Sequence, residues 1–114
     1  MNDLVDDFIK MNEDGLVLAL CEKYYDKNVV MLSNGVVFAE SMRESYDKQK
    51  GFVNSIVDFD VALLEKNISG NISELIFHYR MTGADKKVAN YKGKHVQTWE
   101  GKKIIREEYF SIND

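Results

Sequence analysis

The chain has 114 residues, of which 45% are hydrophobic and 30% are charged, with a formal net charge of -4 at pH 7. This length suits a single domain over residues 1–114, and the composition is that of an ordered globular protein. The acidic balance argues against nucleic-acid binding, which depends on clustered lysines and arginines.

The cysteine count, the apolar pattern and the glycine pattern exclude several further classes of protein. The single cysteine, Cys21, cannot form an intramolecular disulfide or a cysteine-based zinc site. No apolar run reaches the roughly 18 residues that a membrane span needs, and the acidic start does not resemble a signal peptide. Nucleotide-binding glycine motifs are absent from the sequence. We therefore expect a cytoplasmic protein with no metal, no cofactor and no membrane partner.

The first half of the sequence carries helical patterns. Apolar residues at helical spacing predict a first helix that ends at residues 12–15, where Asp14 is placed to cap a second, short helix. Residues 29–32 and 36–38 then form a predicted β-hairpin around Asn34-Gly35.

A third helix is predicted by the capping box at Ser41 and Glu44, and it should continue to about Ser55. From there on the pattern is β throughout. Four long strands are predicted, at residues 57–66, 72–82, 88–99 and 103–112. Because the helices precede a run of antiparallel strands, the order indicates an α+β fold.

The most informative segment is the last hairpin, which turns at Glu100-Gly101-Lys102-Lys103. A two-residue loop at Gly101-Lys102 would fix the pairing of the two strands. The predicted partners are Trp99 with Ile104, Gln97 with Arg106, His95 with Glu108, and Gly93 with Phe110. This register places an imidazole beside a carboxylate on one face.

The register of the preceding hairpin has two solutions. A tight turn at Asp85-Lys86 places Ile76, His78 and Arg80 on the face of His95 and Tyr91. A three-residue turn places the more apolar set on that face instead, namely Leu75, Phe77, Tyr79 and Met81. The matching of polar residues slightly favours the first solution.

The order of these elements, with the segment from Tyr24 to Val30 and the ending from Trp99 to Ile104 followed by Tyr109-Phe110, resembles the nuclear transport factor 2-like superfamily. Within it, the chain is most similar to SnoaL-like polyketide cyclases and ketosteroid isomerases. The resemblance implies a cystatin-like cone, in which a curved mixed or antiparallel sheet wraps around three N-terminal helices. It also implies a ligand pocket at the open end and frequent dimerisation through the sheet.

The isomerases of this superfamily share a tyrosine, an aspartate base and a further acid, and these positions fall on Phe8, Leu32 and His95. None of the three is kept. Leu32 cannot act as a base, so the steroid isomerase mechanism of these relatives is not expected here. Histidine titrates near neutral pH, which leaves His95 as a candidate acid or base.

We therefore predict His95 as the catalytic residue and Glu108 as the group that orients it, around a small organic ligand. The residues expected to bind this ligand are Phe8, Leu32, His78, Tyr91, Gln97, Trp99, Arg106 and Phe110. A purely structural ion pair between His95 and Glu108 explains the same pattern. A noncatalytic alternative is a homodimer or protein-interaction module that uses the convex sheet face, with Val96, Thr98, Ile105 and Tyr109 exposed there.

Overall fold

The computed structural model describes residues 1–112, in which three helices pack on one face of a six-stranded sheet. In chain order the elements are α1 (Asn2–Glu13), α2 (Val17–Tyr24), β1 (Tyr25–Ser33), β2 (Val36–Ala39), α3 (Met42–Asn54), β3 (Ile56–Ser69), β4 (Ile72–Gly83), β5 (Val88–Glu100) and β6 (Lys103–Ile112). The predicted order of helices, hairpin and long strands is confirmed. The assignment of residues 1–114 to one domain stays a prediction, and residues 113–114 lie outside the described part.

The sheet is mixed and open. Its strand order is β2-β1-β6-β5-β4-β3, so the last four strands form an antiparallel meander. β1 joins this meander in parallel with β6, and β2 pairs with β1. β2 and β3 are therefore the two edges, and the α+β class is confirmed.

The core lies between the helices and the inner face of the sheet. On α1, Val5, Phe8 and Ile9 are buried at helical spacing, and Asn12 continues the same stripe. They face a buried apolar set on α2 and the sheet, which includes Leu20, Tyr24, Leu75, Phe77, Trp99 and Ile104. The polar residue Asn12 is thus carried into the interior by an otherwise apolar helix face.

The two predicted helix caps have different outcomes. The hydroxyl of Ser41 accepts a hydrogen bond from the amide of Glu44 at 3.0 Å, which confirms the cap of α3. The prediction for Asp14 is wrong, because α2 begins after Leu16 and has no side-chain cap. Asp14 instead ends α1 and pairs with Lys10 at 3.0 Å.

The hairpin between β4 and β5 takes the register that the sequence favoured less. Leu75 pairs with His95, and Tyr79 pairs with Tyr91. The loop holds one extra residue, because Lys86 adopts a positive φ of 67° and the amide of Lys86 bonds to Gly83. The inner face of β4 is therefore the apolar set, and His78 lies on the outer face.

The last hairpin follows the predicted register only at its turn. Trp99 pairs with Ile104 and Glu100 with Lys103, as expected for the loop at Gly101-Lys102. A bulge at Ile105 then inserts one extra residue, so every later pairing is shifted. Beyond the bulge the observed partners are Thr98 with Arg106, Gln97 with Glu107, His95 with Tyr109, and Gly93 with Ser111.

Candidate ligand-binding site

A cavity of about 290 Å³ lies between the helices and the inner face of the sheet. Its wall is mainly aromatic, formed by Phe8, Tyr25, Phe38, Phe52, Phe59, Tyr79, Tyr91 and Tyr109. Polar and charged groups also border it, at Asn12, Ser33, Lys48, Gln49, His95 and Glu107. An apolar wall with a few convergent polar groups is the usual construction of a small-molecule site.

The carboxylate of Glu107 is the buried charge of this site, with 3% of the residue exposed. Tyr25 donates its hydroxyl hydrogen to the two carboxylate oxygens at 2.9 and 3.0 Å, and Gln97 Nε2 donates to Oε2 at 2.7 Å. Burial raises the pKa of Glu107, but the neighbouring His95, Gln97 and Tyr25 outweigh it and hold that pKa below its usual value. Glu107 is therefore ionised at neutral pH.

Both ring nitrogens of His95 face protein groups. Nδ1 lies 3.4 Å from Glu107 Oε1, and it has no hydrogen-bond partner among residues 1–112. Nε2 lies 2.7 Å from the hydroxyl oxygen of Tyr79, which also accepts a hydrogen bond from Asn12 Nδ2 at 3.2 Å. Because a carboxylate only accepts, a neutral imidazole satisfies both neighbours with its hydrogen on Nδ1 and Nε2 accepting from Tyr79.

A second layer of hydrogen bonds orients the amide of Gln97. The indole Nε1 of Trp99 can only donate, and it donates to the hydroxyl of Ser73 at 2.9 Å. That hydroxyl donates in turn to Gln97 Oε1 at 2.8 Å. The amide nitrogen of Gln97 is thereby directed at Glu107.

The structure divides the sequence-predicted site residues into three groups. Phe8, Leu32, Tyr91 and His95 border the cavity. Gln97 and Trp99 are buried behind it and support Glu107 through hydrogen bonds. His78, Arg106, Glu108 and Phe110 lie on other parts of the sheet and do not border the cavity.

The predicted pairing of His95 with Glu108 is wrong, and the cause is the bulge at Ile105. It turns Glu107 and Tyr109 inward and leaves Glu108 opposite Val96. There Glu108 accepts a hydrogen bond from Arg106 at 2.7 Å at the surface, so Arg106 does not form the expected pair with Gln97. Tyr109 likewise belongs to the cavity wall and not to the convex face.

Several residues of the site were missed from the sequence. Tyr79 belonged to the β4 face that the sequence favoured less, although its alternation with Leu75 and Phe77 is a usable signal. From the sequence, Tyr25 is predicted only to pack at a helix-to-strand junction. Glu107 depends on the bulge, and Asn12 lies in the segment where the helical pattern breaks. Only the pattern on β4 could have been found from local sequence.

Metal binding and thiol chemistry are considered next for the residues around the cavity. Among the described residues, no cluster of histidine, cysteine, aspartate or glutamate could hold a metal ion. Cys21 borders the cavity, but burial raises the pKa of its thiol to about 12, so it stays protonated.

Within residues 1–112, no helix has the length and apolar character needed to cross a membrane.

The sequence matches no protein-family model and no curated protein. Solved structures, in contrast, share the whole architecture. An NTF2-like protein of unknown function from Burkholderia pseudomallei has a TM-score of 0.80 at 15% identity, with 96% of this chain and 88% of that chain covered. A SnoaL-like protein from Mesorhizobium loti, proposed to be a polyketide cyclase, has a TM-score of 0.78 at 16% identity, with coverage of 95% and 96%.

A third similar structure comes from Catenulispora acidiphila and was solved in complex with trimethylamine. It has a ketosteroid isomerase-like fold, with a TM-score of 0.76 at 9% identity, and the match covers 93% of this chain and 82% of that one. Identities this low establish a shared architecture and not a shared activity. The protein has the nuclear transport factor 2-like fold, in the form found in SnoaL-like and ketosteroid isomerase-like proteins.

Proposed function

We propose that the protein binds a compact organic ligand in the cavity and transfers a proton on it through Tyr79, His95 and Glu107. The observation that carries this proposal is the position of His95 between the two other groups, with Nε2 2.7 Å from the Tyr79 hydroxyl oxygen and Nδ1 3.4 Å from Glu107 Oε1. A volume of about 290 Å³ lies near the lower end of ligand sites, which favours a small molecule. The structural neighbour with bound trimethylamine supports a ligand of this size.

Tyr79 is the group that would exchange the proton with the ligand, because it borders the cavity and its hydroxyl is the hydrogen-bond partner of His95 Nε2. The tyrosine oxygen takes a proton from the ligand while its own hydrogen passes to His95 Nε2. Glu107 then stabilises the imidazolium that forms, as an acidic residue does in other relays of this kind. Return of the proton to a different carbon of the ligand completes an isomerisation, whereas its return to a hydroxyl group that then leaves as water completes a dehydration.

Occupancy of the cavity is tested first. Native mass spectrometry of the purified protein should show a bound small molecule, and a fragment library should give saturable binding. Val17 borders the cavity, so Val17→Trp should abolish binding, whereas Ala19→Trp places the same ring on the exposed side of α2 and should not. Equal binding by the two variants would refute the cavity as the site.

Catalysis is tested once a ligand is known. Removing a positioned acid or base usually costs about 10²- to 10⁴-fold in rate, so His95→Ala and Tyr79→Phe should both lose activity to this degree. Circular dichroism checks that each variant remains folded. Full turnover by either variant would remove that residue from the mechanism.

A second candidate function is self-association through the outer face of the sheet. Ile72 and Phe110 are each 38% exposed, although both are large apolar residues in strands. Exposed apolar surface on a sheet is typical of an interface. Sedimentation at micromolar concentration should then show a dimer that Phe110→Lys dissociates, and a monomer at all concentrations would contradict this.

A further inference from the structure

The aromatic wall of the cavity is dense around the tyrosine of the proposed relay. The ring of Tyr91 stacks on that of Tyr79 with centroids 5.1 Å apart, and Phe59 stacks on Tyr79 at 6.1 Å. Tyr109 contacts the His95 ring at 5.1 Å. The faces of such rings carry partial negative charge and attract cations. The wall therefore offers a surface suited to positive charge.

The carboxylate of Glu107 adds a full negative charge to the same wall. Its close donors, Tyr25 and Gln97, are neutral, and they approach to 2.9 and 2.7 Å. His95 lies farther away, with Nδ1 3.4 Å from Glu107 Oε1 and no hydrogen bond between them among the described residues. Buried carboxylates are normally balanced by a cation, because removing an ionised group from water is costly.

Lys48, the other basic residue on the cavity wall, does not neutralise the charge of Glu107. Lys48 donates to the carbonyl oxygen of Phe38, and its ammonium group lies over the Phe38 ring at 4.9 Å from the centroid. It is exposed and belongs to the rim formed by α3 and β2. This contact also shows that an aromatic ring of the wall can pair with an ammonium group.

We propose that the cavity binds a compact organic cation, such as an alkylated ammonium group, held between the aromatic rings and the charge of Glu107. This assignment rests on the proposed function, since it names the class of ligand for the same cavity. It is independent of whether the proton relay operates. A cation without N–H groups fits best, because Tyr25 and Gln97 already donate hydrogen bonds to the carboxylate oxygens of Glu107.

The test compares two probes of the same shape and different charge. Choline chloride and the neutral 3,3-dimethylbutan-1-ol are titrated into the isotopically labelled protein at constant ionic strength, and amide and aromatic resonances are followed by NMR. Choline should bind about tenfold more tightly or better, which is the preference expected for a desolvated cation against aromatic rings and a carboxylate. The shifts should centre on Tyr91, His95 and Tyr109.

Two substitutions separate the charge of Glu107 from the general acidity of the protein. Glu107→Gln preserves the size and hydrogen-bonding oxygen but removes the charge, so it should reduce the preference for choline several-fold. Glu108→Gln removes the same charge from the next residue, on the outer face, and should leave the preference unchanged. Tyr91→Leu reports on the rings if Glu107→Gln does not fold, and it should also weaken choline binding.

Three results would overturn the assignment. They are equal affinity for the two probes, a preference that Glu107→Gln or Tyr91→Leu leaves intact, and absence of saturable choline binding at millimolar concentration. In each case the proposed function still stands if a neutral ligand occupies the cavity and Val17→Trp expels it. A cavity that stays empty to all ligands refutes the proposed function itself.

Discussion

The hydroxyl oxygen of Tyr79 and the Nε2 atom of His95 lie 2.7 Å apart, on two neighbouring strands and at the wall of the cavity. The contact joins β4 to β5 through side chains, and Asn12 extends it to α1 at 3.2 Å. A single hydroxyl thus links one helix with the inner face of the sheet. Its loss should affect both the stability of the fold and the state of His95.

Tyr79→Phe removes this hydroxyl and leaves Nε2 of His95 and the amide of Asn12 without their partner. An unsatisfied buried polar group costs about 1–3 kcal/mol, so the free energy of unfolding should fall by about that amount. Denaturant titration followed by fluorescence measures the change.

Tyr91→Phe is the matched control for this substitution. The hydroxyl of Tyr91 contacts only the sulfur of Met81, at 3.7 Å, among the bonds of the described residues. Its removal should cost less than about 0.5 kcal/mol, as expected for a weak acceptor. Equal losses for the two variants would show that the Tyr79 contact does not stabilise the fold.

Stability should decrease in acid because of Glu107. Its pKa is lower in the folded protein than its usual value, since the contacts with His95, Gln97 and Tyr25 outweigh the effect of burial. Between these two pKa values the unfolded chain binds more protons, so stability rises with pH there. The contribution is complete above the usual glutamate pKa and is lost as pH falls through the folded value.

Glu107→Gln should therefore flatten the acid limb of a plot of unfolding free energy against pH. Asp7 leaves a residual slope, because hydrogen bonds from Lys23 and Tyr24 also lower its pKa. Glu108→Gln should retain the slope of the unchanged protein. If Glu107→Gln keeps the full slope, Glu107 is not the group that titrates.

The cap of α3 gives a local test of the helix assignments. Ser41→Ala removes the acceptor of the Glu44 amide and should cost about 1 kcal/mol. Asp14→Ala removes only an exposed ion pair with Lys10 and should cost less than about 0.5 kcal/mol. Thermal unfolding of the two variants measures both, and a larger loss for Asp14→Ala would contradict the observed start of α2.

The helices, the strands and the last turn could be predicted because their causes are local. The cap at Ser41 and the loop at Gly101-Lys102 depend on residues a few positions apart, and both are confirmed. The resemblance also gave the fold. His95 was placed beside a carboxylate from the same turn, and the structure does have one there.

The identity of that carboxylate could not be predicted, since a bulge at Ile105 places Glu107, and not Glu108, on the inner face of the sheet. Without the bulge, regular alternation from Ile104 would turn Arg106 inward, whereas the observed strand leaves Arg106 exposed at the surface. The burial of the whole sheet decides this, and not the local pattern. The register of β4 was similarly decided by burial of Phe77 and its neighbours against the helices.

Gly93 on β5 determines where the Tyr109 ring can lie. A Cβ atom at this position would be 2.3 Å from Tyr109 Cε2 and 2.6 Å from its hydroxyl oxygen, so the ring must move in Gly93→Ala. Overpacking of this kind costs about 1–3 kcal/mol. Because Tyr109 contacts the His95 ring, the aromatic resonances of both residues should shift in NMR spectra.

Gly51→Ala is the opposite case and serves as the control. A Cβ atom there meets nothing within 4 Å, and the residue lies inside α3. Alanine is favoured over glycine in a helix by about 0.5–1 kcal/mol, so this variant should be more stable than the parent protein. The His95 resonances should stay in place. If the His95 resonances also stay unchanged in Gly93→Ala, the absence of a side chain at residue 93 is not what allows Tyr109 to lie against His95. Another contact must then position this wall of the cavity.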